Sequence, residues 1–245
     1  MLILAALSAA IAVFVAGGLI YWSNPVRLVN QVVASCSVHI ASWLGCLYLA
    51  ISAPQGSPEG LFWVRMCCAV GGTIPFHFWW VKETIVGRSQ PPGRWRIGQV
   101  GVWLVLSLGL TGIGFTEQFI PSTSTHAQRV FGWGYRAYIA VGLFLYFFLI
   151  VDAIRTIRRL EGSRKTELQV WLLGGCSVAA AVLALMALRT VTGDSRYVGL
   201  QPLMILVFYS GTAIAITTYR IFDARQILLL GLQKFCLVAA VAAMA

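Results

Sequence analysis

About seven stretches of roughly twenty apolar residues each, divided by short polar or basic breaks, take up nearly all of this 245-residue chain. A segment of that length and composition is what a membrane-spanning helix requires, because every backbone N–H and C=O in hydrocarbon must be satisfied within the segment itself. Read in order, the stretches run about 2–22, 31–52, 60–81, 98–116, 134–154, 169–188 and 200–219. Charged residues are only 11% of the chain and hydrophobic ones 59%, whereas a soluble domain is nearer a quarter charged and half apolar. A surface so poor in charge implies lipid as solvent. Alternating segments of about ten residues, the mark of a β-barrel, are not seen. The expected fold is therefore an all-α membrane bundle of seven helices, with an eighth possible from the last apolar run, ILLLGLQKFCLVAAVAAMA. That run reads either as a thin span or as the start of a signalling helix, although it lacks the charge of a soluble coiled coil.

The breaks have chemical causes. Ser23-Asn24-Pro25 closes the first stretch, APQGSPE the second, and Pro91-Pro92-Gly93 interrupts the loop after the third. The net charge of +10 sits mostly in these breaks. Twelve of the eighteen Lys and Arg follow the first, third, fifth and seventh stretches: Arg27, Lys82, Arg88, Arg94, Arg96, Arg155, Arg158, Arg159, Arg164, Lys165, Arg220 and Arg225. By the positive-inside rule that side is cytoplasmic, which puts the N-terminus outside and directs the seventh helix inward. Basic residues confined to short loops serve topology and anionic headgroups, not nucleic acid. The six cysteines all fall in apolar stretches and read as buried free thiols, and the adjacent Cys67-Cys68 pair lacks metal-ligand spacing. No cofactor or metal is expected, and no hydrolase elbow, P-loop or dinucleotide fingerprint marks a catalytic site.

Ionisable groups inside a bilayer are the usual pointer to function, and this chain has few. Arg65, near the outer end of the third stretch, either snorkels to headgroups or forms the cationic floor of an outward pocket. His77 follows Pro75, which removes a helix hydrogen bond, so its ring serves either the freed backbone or proton sensing. His39, in the second stretch, reads as an interhelical donor or a ligand contact. The loop 117–133 carries Ser122-Thr123-Ser124-Thr125-His126 and then Phe131, Trp133 and Tyr135. It reads as an interfacial aromatic anchor, or as a lid in which His126 and Trp133 meet a ligand. Asp152 lies at the end of the fifth stretch, and no carboxylate occupies the middle of any stretch, which argues against a proton pump and a membrane-embedded enzyme.

The order of these features resembles the N-terminal seven-transmembrane sensor region of bacterial histidine kinases. The turn Asn24-Pro25-Val26-Arg27-Leu28-Val29-Asn30 is similar to that family's NPxxRxN-like turn. Trp43 lies in the second stretch, and Phe62-Trp63-Val64-Arg65 with Ile74-Pro75 resembles the family's W-x-R…P helix. A basic run from Arg155 to Lys165 and a polar lead-in at Glu167-Leu168-Gln169 follow in order. Pro202 opens the seventh stretch, and Tyr219-Arg220-Ile221-Phe222-Asp223 is similar to the family's Y-R-L-F-D exit. The resemblance covers residues 1–226, leaving 227–245 as the eighth helix or signalling helix. It implies a sensory input module in the bacterial inner membrane. The bilayer and a small ligand of unknown identity are its partners, and it forms a homodimer through a cytoplasmic output domain outside this chain. Signal exit falls at Tyr219, Arg220, Asp223 and Arg225. A small-solute or lipid transporter is the rival reading, since Gly71-Gly72 to Pro75 could break a helix at mid-membrane.

Overall fold

The computed structural model describes residues 2–54, 57–87, 94–124, 130–193 and 196–219. Among them the chain is helical, without strands: α1 (Leu2–Ser23), α2 (Leu28–Ser52), α3 (Pro58–Gly72), α4 (Ile74–Val86), α5 (Arg94–Phe115), α6 (Trp133–Ile157), α7 (Gly162–Leu168), a π-turn (Gln169–Leu173), α8 (Gly174–Thr192) and α9 (Arg196–Tyr219). Six helical segments of the described residues are long and apolar enough to cross a membrane, as suits a multi-pass membrane protein. Two of the six are composite. Pro58–Val86 joins α3 to α4, and Gly162–Thr192 joins α7, the π-turn and α8. The 24-residue α9 is not among the six.

Local chemistry explains the ends. Ser57 caps α3 by accepting from the Gly60 N–H at 3.2 Å, and Pro58 occupies the first turn, where its missing N–H removes nothing. Gly193 ends α8 with φ of 73°, a left-handed conformation that lets its N–H reach the Arg189 carbonyl at 2.8 Å. Within the helices, serine and threonine hydroxyls bond back to carbonyls one turn earlier, as Ser37 does to Val33 and Thr212 to Phe208.

The helices form a closed circuit. α1 packs on α2, α2 on α3 and α4, α3 on α5, α5 on α6, α6 on α8, and α8 on α9, which returns to α1. At that closure the Tyr209 hydroxyl donates to Ser37 Oγ at 3.0 Å. Gly17 lets α1 approach, since a Cβ there would lie 2.5 Å from Ser37 Cβ. α4 and the π-turn fill the middle with aromatic rings: Phe78 stacks on Trp171 at 6.0 Å, and Trp171 meets Phe208 at 5.4 Å. Outward, Phe14, Val105, Phe144, Phe147 and Val207 are exposed. That reverses the soluble pattern, in which apolar surface is broken into small patches.

Two expectations from the sequence change. The third stretch is not one helix over 60–81 but two, meeting at Thr73 and running to Val86. Lys82 is consequently not a loop residue but a largely buried part of α4. The segment after the fifth stretch is also not wholly a linker, because helix resumes at Gly162. Hydropathy reports where lipid is, whereas the backbone pattern continues beyond it.

Candidate functional site

The break in the third span gathers the two intramembrane histidines. Pro75 has no N–H, so the α-helical ladder stops, and Thr73 turns its own N–H and hydroxyl onto the Val70 carbonyl at 3.3 and 3.1 Å. The same carbonyl faces His39 Nε2 at 2.9 Å, and Thr73 Oγ1 contacts that nitrogen as well. A carbonyl can only accept, so His39 carries a proton on Nε2. His77 Nδ1 lies 3.1 Å from the Thr73 carbonyl, which by the same argument assigns its proton to Nδ1. The two rings stack with centroids 4.7 Å apart and an interplanar angle of 26°. Each ring supports backbone at the joint between α3 and α4, His39 through the Val70 carbonyl and His77 through the Thr73 carbonyl.

Close packing holds the joint on its other side. Gly72 sits against α5, where a Cβ would come 2.7 Å from the Thr111 backbone nitrogen, and the Thr111 hydroxyl donates to the Ala69 carbonyl at 3.0 Å. Beside the joint is an apolar cavity of about 60 Å³, lined in part by Trp43, Gly71, Pro75, Phe78, Tyr138 and Gly175. Only a water-sized occupant or a small apolar group fits such a space.

Arg65, two turns before the joint, is engaged by the segment following α5. Its Nε donates to the Ile120 carbonyl at 3.2 Å, its Nη2 to the same oxygen, and Nη2 also to Glu117 Oε1 at 3.0 Å. Phe119 and Ile120 are fully buried, and Phe119 sits between Tyr135 and Tyr138 at 5.2 and 5.3 Å. The Gly132 and Gly134 N–H groups donate to the Phe119 and Gln118 carbonyls at 3.1 and 2.9 Å. The loop is thus a wedge driven into one end of the bundle, with Arg65 as its bolt. Trp133 is 64% exposed at the rim, and His126 lies outside the described residues.

Glu117 makes this wedge sensitive to acid. The Ser122 backbone N–H, 2.6 Å from Oε2, and then the Arg65 guanidinium hold its carboxyl below the ordinary value of 4.5. A depressed carboxylate contributes stability that is complete above 4.5 and lost as pH falls through the lowered value. Hydrogen exchange at the Gly132 amide, corrected for intrinsic rates, is expected to speed up in that acidic window. In Glu117→Gln this step should vanish. Persistence of the step in that variant would assign it elsewhere.

The opposite end, where the basic residues concentrate, is held by ion pairs. Arg27 Nη2 contacts Glu167 Oε1 and Oε2 at 2.7 and 2.9 Å, with the side chains 9% and 1% exposed. Lys82 pairs with Asp152 of α6 and, at 3.0 Å, with Glu83. The turn carrying Arg27 is itself tied: Asn30 Nδ2 donates to the Ile20 carbonyl and to Ser23 Oγ, both at 3.0 Å, and Gln31 Nε2 to the Pro25 carbonyl at 2.7 Å. These ion pairs escape sequence reasoning because Arg27 and Glu167 are 140 positions apart. Of the four exit residues, Tyr219 ends α9, while Arg220, Asp223 and Arg225 lie outside the described residues. No group of three or more His, Cys, Asp or Glu able to hold a metal occurs among the described residues. No family model matches the chain, and no curated protein matches it.

Proposed function

We propose that the chain is the membrane-embedded sensory input module of a bacterial two-component histidine kinase or a related signalling protein. In this reading α9 is the seventh span, the N-terminus is outside, the protein sits in the inner membrane, and an external or membrane-borne signal reaches an output domain beyond residue 245. The output domain pairs with its copy to form a homodimer. One observation carries the proposal: the broken third span runs from the wedge at one end of the bundle to α6 at the other. Arg65 on α3 holds the wedge, Thr73 forms a joint braced by His39 and His77, and Lys82 on α4 reaches Asp152 of α6 at the basic end. A stimulus that bound the wedge differently in two states would shift α4 against α6 through this path. The order of motifs from Asn24 to Asp223 supports the same reading.

The broken span also favours a second reading, since transporters place interrupted helices at their binding sites. Against it, the joint is occupied by the chain's own histidines, and the apolar cavity beside it, about 60 Å³, is too small for a solute. The test is to fuse residues 1–245 to a histidine kinase output and measure autophosphorylation in membranes. Arg65→Gln, His39→Gln and Thr73→Val are each expected to change basal output several-fold at unchanged protein level. Output equal to the unsubstituted fusion in all three would defeat the proposal, and solute flux in vesicles containing the chain would favour transport.

A further inference from the structure

A groove runs along the lipid-facing side between α5 and α6, with a volume of about 480 Å³. Its walls include Gly98, Val102 and Leu106 from α5 and Phe144 and Phe148 from α6, and Trp103 forms part of its floor. The size is in the range of small-ligand sites. Val102, Leu106, Phe144 and Phe148 are all exposed, so the described residues leave the groove uncovered. A Cβ added at Gly98 meets nothing within 4 Å, so the space at this end is open to an occupant.

The groove is graded along its length. Leu106 and Phe144 lie toward the middle of their helices, and Gly98 and Gln99 lie toward the basic end. Continuing each helical stripe in that direction leads to an arginine. Arg94 is four residues before Gly98 and eight before Val102 on α5, and Arg155 is seven residues after Phe148 on α6. Arg155 is exposed. The acidic neighbours Asp152 on α6 and Glu83 on α4 share Lys82, which offsets one of their two charges, and Arg94 and Arg155 together outnumber the one that remains. The order is apolar walls, then the Gln99 amide, then two cationic positions from two helices. A phospholipid presents the same order as acyl chain, ester carbonyls and phosphate.

We infer that this groove binds one anionic phospholipid of the leaflet at the basic end of the bundle. One acyl chain lies along Val102, Leu106, Phe144 and Phe148, and the headgroup phosphate sits at the level of Arg94 and Arg155. The attraction of basic residues to anionic headgroups supplies the selectivity, and the groove supplies the residence.

The test is native mass spectrometry of the purified chain titrated with phosphatidylglycerol or phosphatidylcholine. The unsubstituted chain is expected to retain phosphatidylglycerol preferentially. The double variant Arg94→Gln, Arg155→Gln should lose roughly thirtyfold in that preference, about one factor of five to six per arginine. Gly98→Leu should lower retention of both lipids by filling the groove, with thermal unfolding unchanged because the new side chain meets no protein atom near its Cβ. The control Arg158→Gln, Arg159→Gln should keep the preference. The inference is overturned if the control loses as much preference as the Arg94 and Arg155 variant, or if Gly98→Leu retains lipid as before. It is overturned equally if the groove proves to hold a second copy of the chain, seen as a dimer that Gly98→Leu dissociates.

Discussion

Arg27→Ala should destabilise the bundle by about 3–5 kcal/mol, the usual consequence of removing one partner from a buried ion pair. The reason is desolvation. Glu167 is 1% exposed and receives both contacts of the Arg27 guanidinium nitrogen, so truncating Arg27 removes a close cation from a buried carboxylate. The effect should appear as a large fall in the detergent or thermal unfolding midpoint. The double variant Arg27→Met, Glu167→Met should recover most of it, since a well-packed apolar pair is often as stable as the ionic one it replaces. If Arg27→Ala unfolds like the unsubstituted chain, the pair does not fasten the α1–α2 turn to α7.

Gly175→Val is the second large loss, about 3 kcal/mol, at the upper end of what an overpacked core costs. A Cβ at Gly175 would lie 2.1 Å from Phe78 Cε1 and 2.6 Å from Cζ. Phe78 has little room to retreat, being stacked on Trp171 at 6.0 Å and edge-on to Tyr146 at 6.2 Å, with a cavity of only about 60 Å³ beside it. Adding Phe78→Leu to Gly175→Val should restore part of the stability by vacating the contact. Gly109→Ala gives the contrast: its Cβ meets nothing, and the helix gains roughly 0.5–1 kcal/mol from the lower backbone entropy of alanine. Equal unfolding of Gly175→Val and Gly109→Ala would mean that α8 does not approach α4 as closely as described.

How far the sequence discloses this arrangement depends on the range of each interaction. The apolar stretches are local, so the spans are legible, and Pro75 already marks the third as interrupted. The sequence does not show that the joint falls at Thr73, or that helix persists to Val86, because proline fits a first turn as well as it ends a last one. His39 and His77 each stand out singly, yet their stacking depends on how α2 lies against α4. In the loop after α5 the sequence marks Phe131, Trp133 and Tyr135 as an aromatic anchor. It does not show that Phe119 and Ile120 are buried, Phe119 filling the space between Tyr135 and Tyr138. Arg65 illustrates the remaining gap: its type and depth are visible in the sequence, while its partners, a carbonyl and a carboxylate 55 and 52 positions away, are not.

With α9 as the seventh crossing, as proposed, the chain passes from one side of the membrane to the other and α9 leads to the basic face. The direct measurement is to attach a compartment-sensitive reporter at four points: before Leu4, in the Asn24-Pro25 turn, at Ser122 and after Asp223. The account predicts that the first and third reporters are active only outside, and the second and fourth only in the cytoplasm. Reporters before Leu4 and after Asp223 on the same side would contradict it.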